Sequence, residues 1–162
     1  MAFILVVMGV SGSGKTTLGQ RLAERLGWCF ADADDYHSQA NIDKMSQGIP
    51  LMDADRTPWL DQLNKMMRSH LAQKQSLVLA CSALKESYRQ QLSQEIEADL
   101  QWVYLHGSFE QIEQRLNRRK GHFMKVGLLR SQFEDLEPPV NALAVDVGQS
   151  IDQMLEIILR DC

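Results

Sequence analysis

The chain has 162 residues, of which 44% are hydrophobic and 23% are charged, which is enough apolar sequence to bury the core of one domain. Its formal net charge of -4 argues against a general nucleic-acid or membrane-surface binder, because such proteins need a cationic surface to attract polyanions. The three cysteines, Cys29, Cys81 and Cys162, lack the close spacing of a zinc or redox site, which favours a reducing, cytoplasmic compartment.

Short apolar runs alternate along the chain with longer segments of helical periodicity. The runs at 3–8, 28–31, 76–80, 101–105 and 142–147 predict strands. Apolar residues at helical spacing predict helices over 15–26, 56–74, 84–97, 108–118 and 149–160. Strands and helices in this order predict a single α/β domain, 1–162, with a parallel sheet covered on both faces.

The first predicted strand runs into Gly-Val-Ser-Gly-Ser-Gly-Lys-Thr at 9–16, which fits the phosphate-loop pattern G-x-x-x-x-G-K-[ST]. In this pattern backbone N–H groups surround a β-phosphate, the lysine reaches the β and γ oxygens, and the threonine hydroxyl reaches Mg²⁺. The alternative is a glycine-rich turn that carries a lysine by chance. We predict a site for ATP and Mg²⁺ made by Gly9, Val10, Ser11, Gly12, Ser13, Gly14, Lys15, Thr16 and Thr17.

Several carboxylates follow the second predicted strand, in the sequence Asp32-Ala-Asp34-Asp-Tyr-His37. Ligands of open α/β sheets bind at the carboxyl ends of the strands, so an acceptor hydroxyl would meet a γ-phosphate here. Phosphoryl transfer to an alcohol needs one carboxylate to accept the hydroxyl proton and an oxygen ligand for Mg²⁺. The Asp-x-Asp spacing can supply both; the alternative is a solvated acidic loop, or an N-cap for a helix near His37.

The region 41–59 contains two basic residues, Lys44 and Arg56, that could capture the carboxylate of an acidic substrate. Taken alone, each is more often a surface residue. We predict that Trp59 packs in the core.

The third predicted strand runs into Cys81-Ser-Ala-Leu-Lys85, with no aspartate where a Walker B aspartate is expected. We therefore expect Mg²⁺ to rely on Thr16, the carboxylates at 32–34 and water. We predict that Cys81 is a small buried residue and not a nucleophile.

Basic residues are concentrated between Arg115 and Lys125, on both sides of a glycine. This pattern predicts a lid, about 118–127, that closes over ATP, brings arginines to the transferring phosphoryl group and excludes water. The alternative is a solvated helix end, because basic residues favour helix C-termini.

Together, these segments resemble the thermoresistant-type bacterial gluconate kinases. Besides the phosphate loop, the resemblance is carried by Asp-x-Asp-x-x-His at 32–37, Asn-Ile-Asp-Lys-Met at 41–45, Asp-x-Asp-Arg-x-Pro-Trp at 53–59, Cys-Ser-Ala-Leu-Lys-x-x-Tyr-Arg at 81–89 and Arg-Lys-Gly-His-Phe at 119–123. It implies a P-loop NTPase with a nucleoside-monophosphate-kinase-like three-layer fold, a parallel five-stranded sheet and a lid. It also implies transfer of phosphate from ATP to the 6-hydroxyl of D-gluconate, by an enzyme that is often a homodimer.

The resemblance also assigns a role to each matching position. Asp34 would be the base towards the 6-hydroxyl, with Lys15 and Arg119 completing the catalytic set, and Asp32 would assist Thr16 in holding magnesium. Arg115 and Arg119 would meet the nucleotide. The acid's hydroxyls and carboxylate would fall to Asp34, His37, Lys44, Arg56, Lys85 and His122.

Two other readings of the sequence stay open at this point. Another small-molecule kinase, shikimate kinase first, would share the phosphate loop and an Asp-x-Asp step, whereas no motif of a nucleoside monophosphate kinase is visible. An ATP-sensing module would bind nucleotide and transfer no phosphate. Turnover with gluconate, shikimate and AMP separates these possibilities.

Overall fold

A computed structural model of the protein describes residues 1–118 and 126–162, except for the side chain of Val126. Within these residues the strands are β1 Ile4–Met8, β2 Cys29–Asp32, β3 Leu77–Ala80, β4 Leu100–His106 and β5 Leu143–Asp146. The helices are α1 Lys15–Leu26, α2 Gln39–Ser46, α3 Asp53–Ala72, α4 Glu86–Ser93, α5 Phe109–Arg118, α6 Val126–Asp135 and α7 Ile151–Asp161, with 3-10 turns at Ala33–Tyr36 and Glu97–Asp99. None of the helices in the described ranges combines the length and apolarity needed to cross a membrane.

The strands form one parallel sheet in the order β2-β3-β1-β4-β5. β1 lies at its centre, where Val7 pairs with Ala80 of β3 and with Val103 of β4. Because every strand runs in the same direction, the carboxyl ends of all strands meet at one edge of the sheet. The phosphate loop, the Asp-x-Asp segment and the segment starting at Cys81 follow β1, β2 and β3 at that edge.

Alternate residues of β1 divide between two hydrophobic cores, because successive side chains of a strand point to opposite faces. Leu5 and Val7 pack on one face against Leu18 and Leu22 of α1, Ile112 and Leu116 of α5, and Leu155 and Ile158 of α7. Ile4, Val6 and Met8 pack on the other face against Leu60, Leu63 and Met67 of α3 and Leu92 of α4. The predicted three-layer arrangement is thereby confirmed, and it holds the carboxyl edge of the sheet in place.

The predicted strands are all confirmed, and each boundary lies within one residue of its prediction. Two helices differ by three residues or more: α3 begins at Asp53, before its predicted start at 56, and the helix predicted over 84–97 ends at Ser93. Asn64 of α3 donates its side-chain amide to the carbonyl oxygens of Leu92 and Gln94, at 2.7 and 3.0 Å, and Glu95 then takes a φ of 70°. A side chain of a neighbouring helix thus captures the carbonyls that would have continued α4, which local periodicity cannot reveal.

Two short helices complete the described fold: α6 is absent from the predicted elements, and α2 corresponds to the helix near His37 that the sequence raised only as an alternative. α2 begins after Ser38, whose Oγ accepts the backbone N–H of Asn41 at 3.2 Å. α6 begins at Val126, so the last two positions of the predicted lid, 126 and 127, lie in a helix. Both helices are placed by contacts with the site described next.

Candidate active site

The loop between β1 and α1 has the backbone of a phosphate-binding turn. Gly12 and Gly14 have φ values of 83° and 96°, in the left-handed region that glycine adopts without strain. Gly14 is the N-cap of α1, and within the described residues no side chain caps this helix, so its first N–H groups are left for a ligand. Lys15 Nζ donates to the carbonyl oxygen of Val10 at 3.0 Å, which holds the ammonium group against the loop.

The predicted phosphate-loop residues fall into three groups. Those that line one cavity at the carboxyl edge of the sheet are Ser11, Gly12, Gly14, Lys15 and Thr16. Gly9, Val10 and Ser13 are buried and support the loop from within the fold. Thr17 lines a second groove next to the loop. The loop therefore presents its lining residues to one concave surface.

Replacing Gly12 with alanine should weaken ATP binding about tenfold, because the loop can relieve the strain of about 1–2 kcal/mol at left-handed φ only by leaving its phosphate-binding conformation. The added Cβ would also lie 2.8 Å from Cγ of Leu116, a buried residue of α5. Relief of that overlap must move the N–H groups that surround the phosphate. Calorimetric titration with ATP measures the effect.

The matched control is Gly27→Ala, because Gly27 has a φ of 71° but an added Cβ there meets no atom within 4 Å. This variant should lose stability and keep its ATP affinity. Equal ATP affinity in the Gly12 variant and the unmodified protein would contradict the predicted role of the loop.

Gln132 of α6 reaches the phosphate loop, and sequence reasoning missed this contact. The backbone N–H of Ser11 donates to Gln132 Oε1 at 2.7 Å, and Gln132 lines the cavity together with Leu128 and Ser131. Since the predicted lid, about 118–127, runs into α6, this hydrogen bond joins the helix at its C-terminal end to the phosphate loop. The apolar pair Leu128 and Leu129, both buried, is the signal that could have revealed this helix.

Asp32 and Asp34 line the same cavity as the phosphate loop. Thr16 donates its hydroxyl to Asp32 Oδ2 at 2.6 Å, and the backbone N–H of Asp34 donates to Asp32 Oδ1 at 3.0 Å. A hydroxyl and a carboxylate are the oxygen ligands that Mg²⁺ prefers. Among the described residues no group of three or more His, Cys, Asp or Glu side chains could hold a metal ion alone. Thr16 and Asp32 therefore fit a magnesium ion whose other ligands are phosphate oxygens and water.

The carboxylate of Asp34 lies at the open side of the cavity, with 71% of its side chain exposed. Partial desolvation by the surrounding protein raises the pKa of Asp34 above the ordinary aspartate value, although the charge of Lys15 opposes the shift. The negative charges of Asp32 and Asp35 add to the increase. A raised pKa makes Asp34 a better proton acceptor than an ordinary aspartate.

His37 is held in the cavity wall by Trp59. The two rings stack with centroids 4.0 Å apart and an interplanar angle of 16°, and the indole N–H of Trp59 donates to the carbonyl oxygen of Ala33 at 2.7 Å. Trp59 is thus packed in the core, as predicted, and also lines the cavity. His37 Nε2 lies 3.8 Å from Asp34 Oδ1. Burial, helped by the charge of Arg56, lowers the pKa of His37 to about 4, so the imidazole is neutral near pH 7.

Arg56 is the predicted carboxylate ligand that the structure places in the cavity lining, with 13% of its side chain exposed. Its Nη1 donates to the hydroxyl of Tyr88 at 2.8 Å, and its Nη2 lies 3.9 Å from Asp135 Oδ2 of α6. The hydroxyl of Tyr88 in turn donates to Asp53 Oδ1. Contacts from α3, α4 and α6 therefore fix the guanidinium plane, which can present paired N–H donors to a carboxylate.

Lys44 and Lys85 have carboxylate partners outside the cavity lining. Lys44 Nζ lies 3.0 Å from both carboxylate oxygens of Asp55, and Lys85 Nζ lies 3.4 Å from Asp53 Oδ1. Asp55 also accepts the N–H of Met52 at 2.8 Å, and this hydrogen bond stabilises the start of α3. Of the cations predicted at 44, 56 and 85, the structure brings only Arg56 to the described cavity.

A second groove adjoins the phosphate loop. Its lining residues are Gly12, Gly14, Thr17, Leu18, Arg115, Arg118, Ile151 and Met154. Arg115 donates from Nη1 to the carbonyl oxygen of Val147 at 3.1 Å, and its Nη2 lies 3.2 Å from the position of a Cβ added to Gly14. The guanidinium of Arg115 is thus held beside the phosphate loop. An apolar floor with an arginine wall suits a flat, weakly polar ring such as a nucleobase.

Part of the predicted site lies outside the described residues. Arg119 and His122 belong to this part, as does the predicted lid except for Arg118 and the start of α6. Their predicted roles stay predictions. Cys81 is fully buried, and burial raises the pKa of its thiol to about 12, which fits the predicted inert residue.

Comparisons with known proteins agree with this arrangement. A family model described as an AAA domain matches residues 4–139. The chain is 47% identical to the protein of Xenopus tropicalis named "Probable gluconokinase", over 96% of this chain and 90% of that protein. It is 42% identical to the "Thermoresistant gluconokinase" of Escherichia coli K12, over 92% of this chain and 87% of that protein. The crystal structure of a gluconokinase from Sinorhizobium meliloti 1021 superposes with a TM-score of 0.88 and 43% identity, covering 98% of this chain and 90% of that one.

Proposed function

Because the chain belongs to the gluconokinase family, we propose that it transfers the γ-phosphoryl group of ATP to the 6-hydroxyl of D-gluconate, giving 6-phosphogluconate and ADP. One observation carries this proposal. A single cavity joins the phosphate loop to a carboxylate, Asp34, and to a fixed guanidinium, Arg56. These are the groups that a kinase for a hydroxylated acid needs: a phosphate site, a proton acceptor and a carboxylate ligand.

The nucleotide would occupy the loop and the second groove together. Backbone N–H groups of residues 9–16 and the N-terminus of α1 suit the β-phosphate, and Lys15 suits the oxygens next to it. The base would lie against Ile151 and Met154, with Arg115 and Thr17 at the groove wall. The γ-phosphate would then lie towards the cavity that holds Asp34.

Magnesium would be held by Thr16 and Asp32, whose oxygens already lie 2.6 Å apart. When bound, the ion would neutralise charge on the phosphate oxygens. Asp32 also accepts the N–H of Asp34, so the same side chain fixes the backbone of the proposed base.

In the transfer step the 6-hydroxyl oxygen bonds to the γ-phosphorus as the bond to the bridging oxygen of ADP breaks. The hydroxyl proton passes to Asp34, whose raised pKa suits it as acceptor. Lys15 stabilises the charge that develops on the transferring group, and the predicted lid, with Arg119, would exclude water.

Arg56 would bind the carboxylate of gluconate, with its two-pronged donor geometry held by Tyr88 and Asp135. His37 would bind a hydroxyl near Asp34.

We further infer that the chain forms a homodimer, which the family resemblance supports. We also infer that it works in a reducing cytoplasm, which the free cysteines at 29, 81 and 162 support. Sedimentation of the purified protein tests its assembly.

The test is a coupled assay of ADP release with Mg-ATP and, in turn, D-gluconate, shikimate and AMP. We expect saturable turnover with gluconate, a kcat/KM at least about a hundredfold above that for the other two acceptors, and 6-phosphogluconate identified as the product by mass spectrometry. Faster turnover of shikimate or AMP would replace gluconate as the acceptor. ATP binding without turnover of any acceptor would favour the ATP-sensing alternative.

A further inference from the structure

Asn41, at the start of α2, is buried beside the proposed acceptor site, with 5% of its surface exposed. Its Nδ2 donates to the backbone carbonyl oxygen of Asp55 at 3.0 Å and lies 3.3 Å from Nδ1 of His37. Asn41 therefore links the first turn of α3 to the imidazole in the cavity wall. Asn41 has no part in the chemistry of the phosphate loop.

The contact with Asp55 determines which way the amide of Asn41 faces. A carbonyl oxygen can only accept a hydrogen bond, so the amide atom next to it is the amino nitrogen. The same nitrogen faces His37, and an amino group can only donate. Nδ1 of His37 must then be the acceptor, and in a neutral ring the proton is on Nε2.

The surroundings of His37 keep the ring neutral. It stacks on Trp59 of α3, and Arg56 of the same helix opposes a second positive charge. Asp32 favours the charged ring, and Asp34 lies 3.8 Å from Nε2, but desolvation outweighs both and holds the pKa of His37 at about 4. Near pH 7 the ring is therefore a donor at Nε2 on the side of Asp34.

We propose that Asn41 is a positioning residue that holds His37 as the neutral Nε2–H tautomer, so that His37 donates a hydrogen bond to a substrate hydroxyl and cannot act as the general base. This inference rests on the proposed function for the identity of that hydroxyl, which belongs to the polyol chain of the acid. It assigns the proton of the reacting hydroxyl to Asp34 alone. His37 orients the polyol, and Asn41 orients His37.

Long-range ¹H–¹⁵N correlation spectra of the whole protein at pH 7 measure the tautomer directly. The chain has four histidines, and the pair of ring signals missing from a His37→Gln spectrum belongs to His37. We expect a protonated Nε2 and an unprotonated Nδ1. A ring protonated at Nδ1, or at both nitrogens, would overturn the inference whatever the substrate is.

Asn41→Asp places an oxygen where the amino group donates, so His37 should become protonated at Nδ1. Because the orientation of the substrate polyol by Nε2–H is then lost, kcat with gluconate should fall about tenfold, while the KM for ATP stays unchanged. Asn64→Asp is the matched control, because Asn64 is equally buried and donates to two backbone carbonyls away from the cavity. That control should lose stability without changing the His37 signals.

Two substitutions of His37 complete the test, because the amide nitrogen of glutamine reaches the position of Nε2 and that of asparagine the position of Nδ1. Both variants should lower kcat/KM for gluconate, and His37→Asn should lower it about tenfold more than His37→Gln, because only glutamine keeps an N–H at the donor position. Equal loss in the two variants would overturn the donor role. Absence of turnover in the unmodified protein would instead reject gluconate as the acceptor, while the tautomer measurement would still decide the role of Asn41.

Discussion

Replacing Asp34 with asparagine should lower kcat with gluconate on the order of a hundredfold or more, as expected when a general base is lost. The amide has nearly the shape of the carboxylate, so the cavity and the backbone N–H bond from Asp34 to Asp32 should persist. What disappears is the acceptor for the hydroxyl proton. Stopped-flow or steady-state turnover measures kcat, and titration with ATP measures binding, which we expect to stay within a few-fold of the original.

Asp35→Asn is the control for this variant, because Asp35 lies in the same 3-10 turn and is exposed outside the cavity lining. It should leave kcat nearly unchanged. Near-normal turnover in the Asp34 variant would remove Asp34 from the mechanism, and parallel losses in both variants would point to the turn as a whole.

Replacing Arg56 with lysine should raise the KM for gluconate about tenfold or more, because an ammonium group cannot form the paired hydrogen bonds of a guanidinium. Arg56→Met should raise it further, on the order of a hundredfold, since loss of a buried ion-pair partner leaves the substrate carboxylate desolvated and unpaired. In both variants Tyr88 and Asp135 also lose their partner. Initial rates at varied gluconate and fixed saturating ATP give the KM.

Arg68→Lys is the matched control, because Arg68 belongs to the same helix but is exposed and pairs with Glu95 at 2.9 Å, away from the cavity. Exposed ion pairs of this kind contribute little to stability, so the KM for gluconate and the KM for ATP should both be unchanged. If the Arg56 variants lost affinity for ATP and kept their KM for gluconate, Arg56 would belong to the nucleotide side of the site.

The order of the elements and the phosphate loop could be predicted from the sequence because both depend on local chemistry. Strands buried on both faces are short continuous apolar runs, so β1 and β3 are evident from composition alone. The loop needs glycine at positions of left-handed φ and a lysine at a set spacing, and these requirements are written in consecutive residues. The carboxylates at 32 and 34 were predictable because they follow a strand whose end lies at the ligand edge.

The tertiary structure decided which of several similar residues belong to the site. Lys44, Arg56 and Lys85 look alike in the sequence, and each lies near an aspartate, but of the three only Arg56 belongs to the cavity lining, where Tyr88 and Asp135 contact its guanidinium. The contact of Gln132 with the phosphate loop joins residues 121 positions apart. The orientation of Asn41 depends on a backbone carbonyl of α3. Such contacts arise from packing between elements distant in the chain, so periodicity and spacing determined the fold and the phosphate site, while only packing selected the residues that would meet the acid.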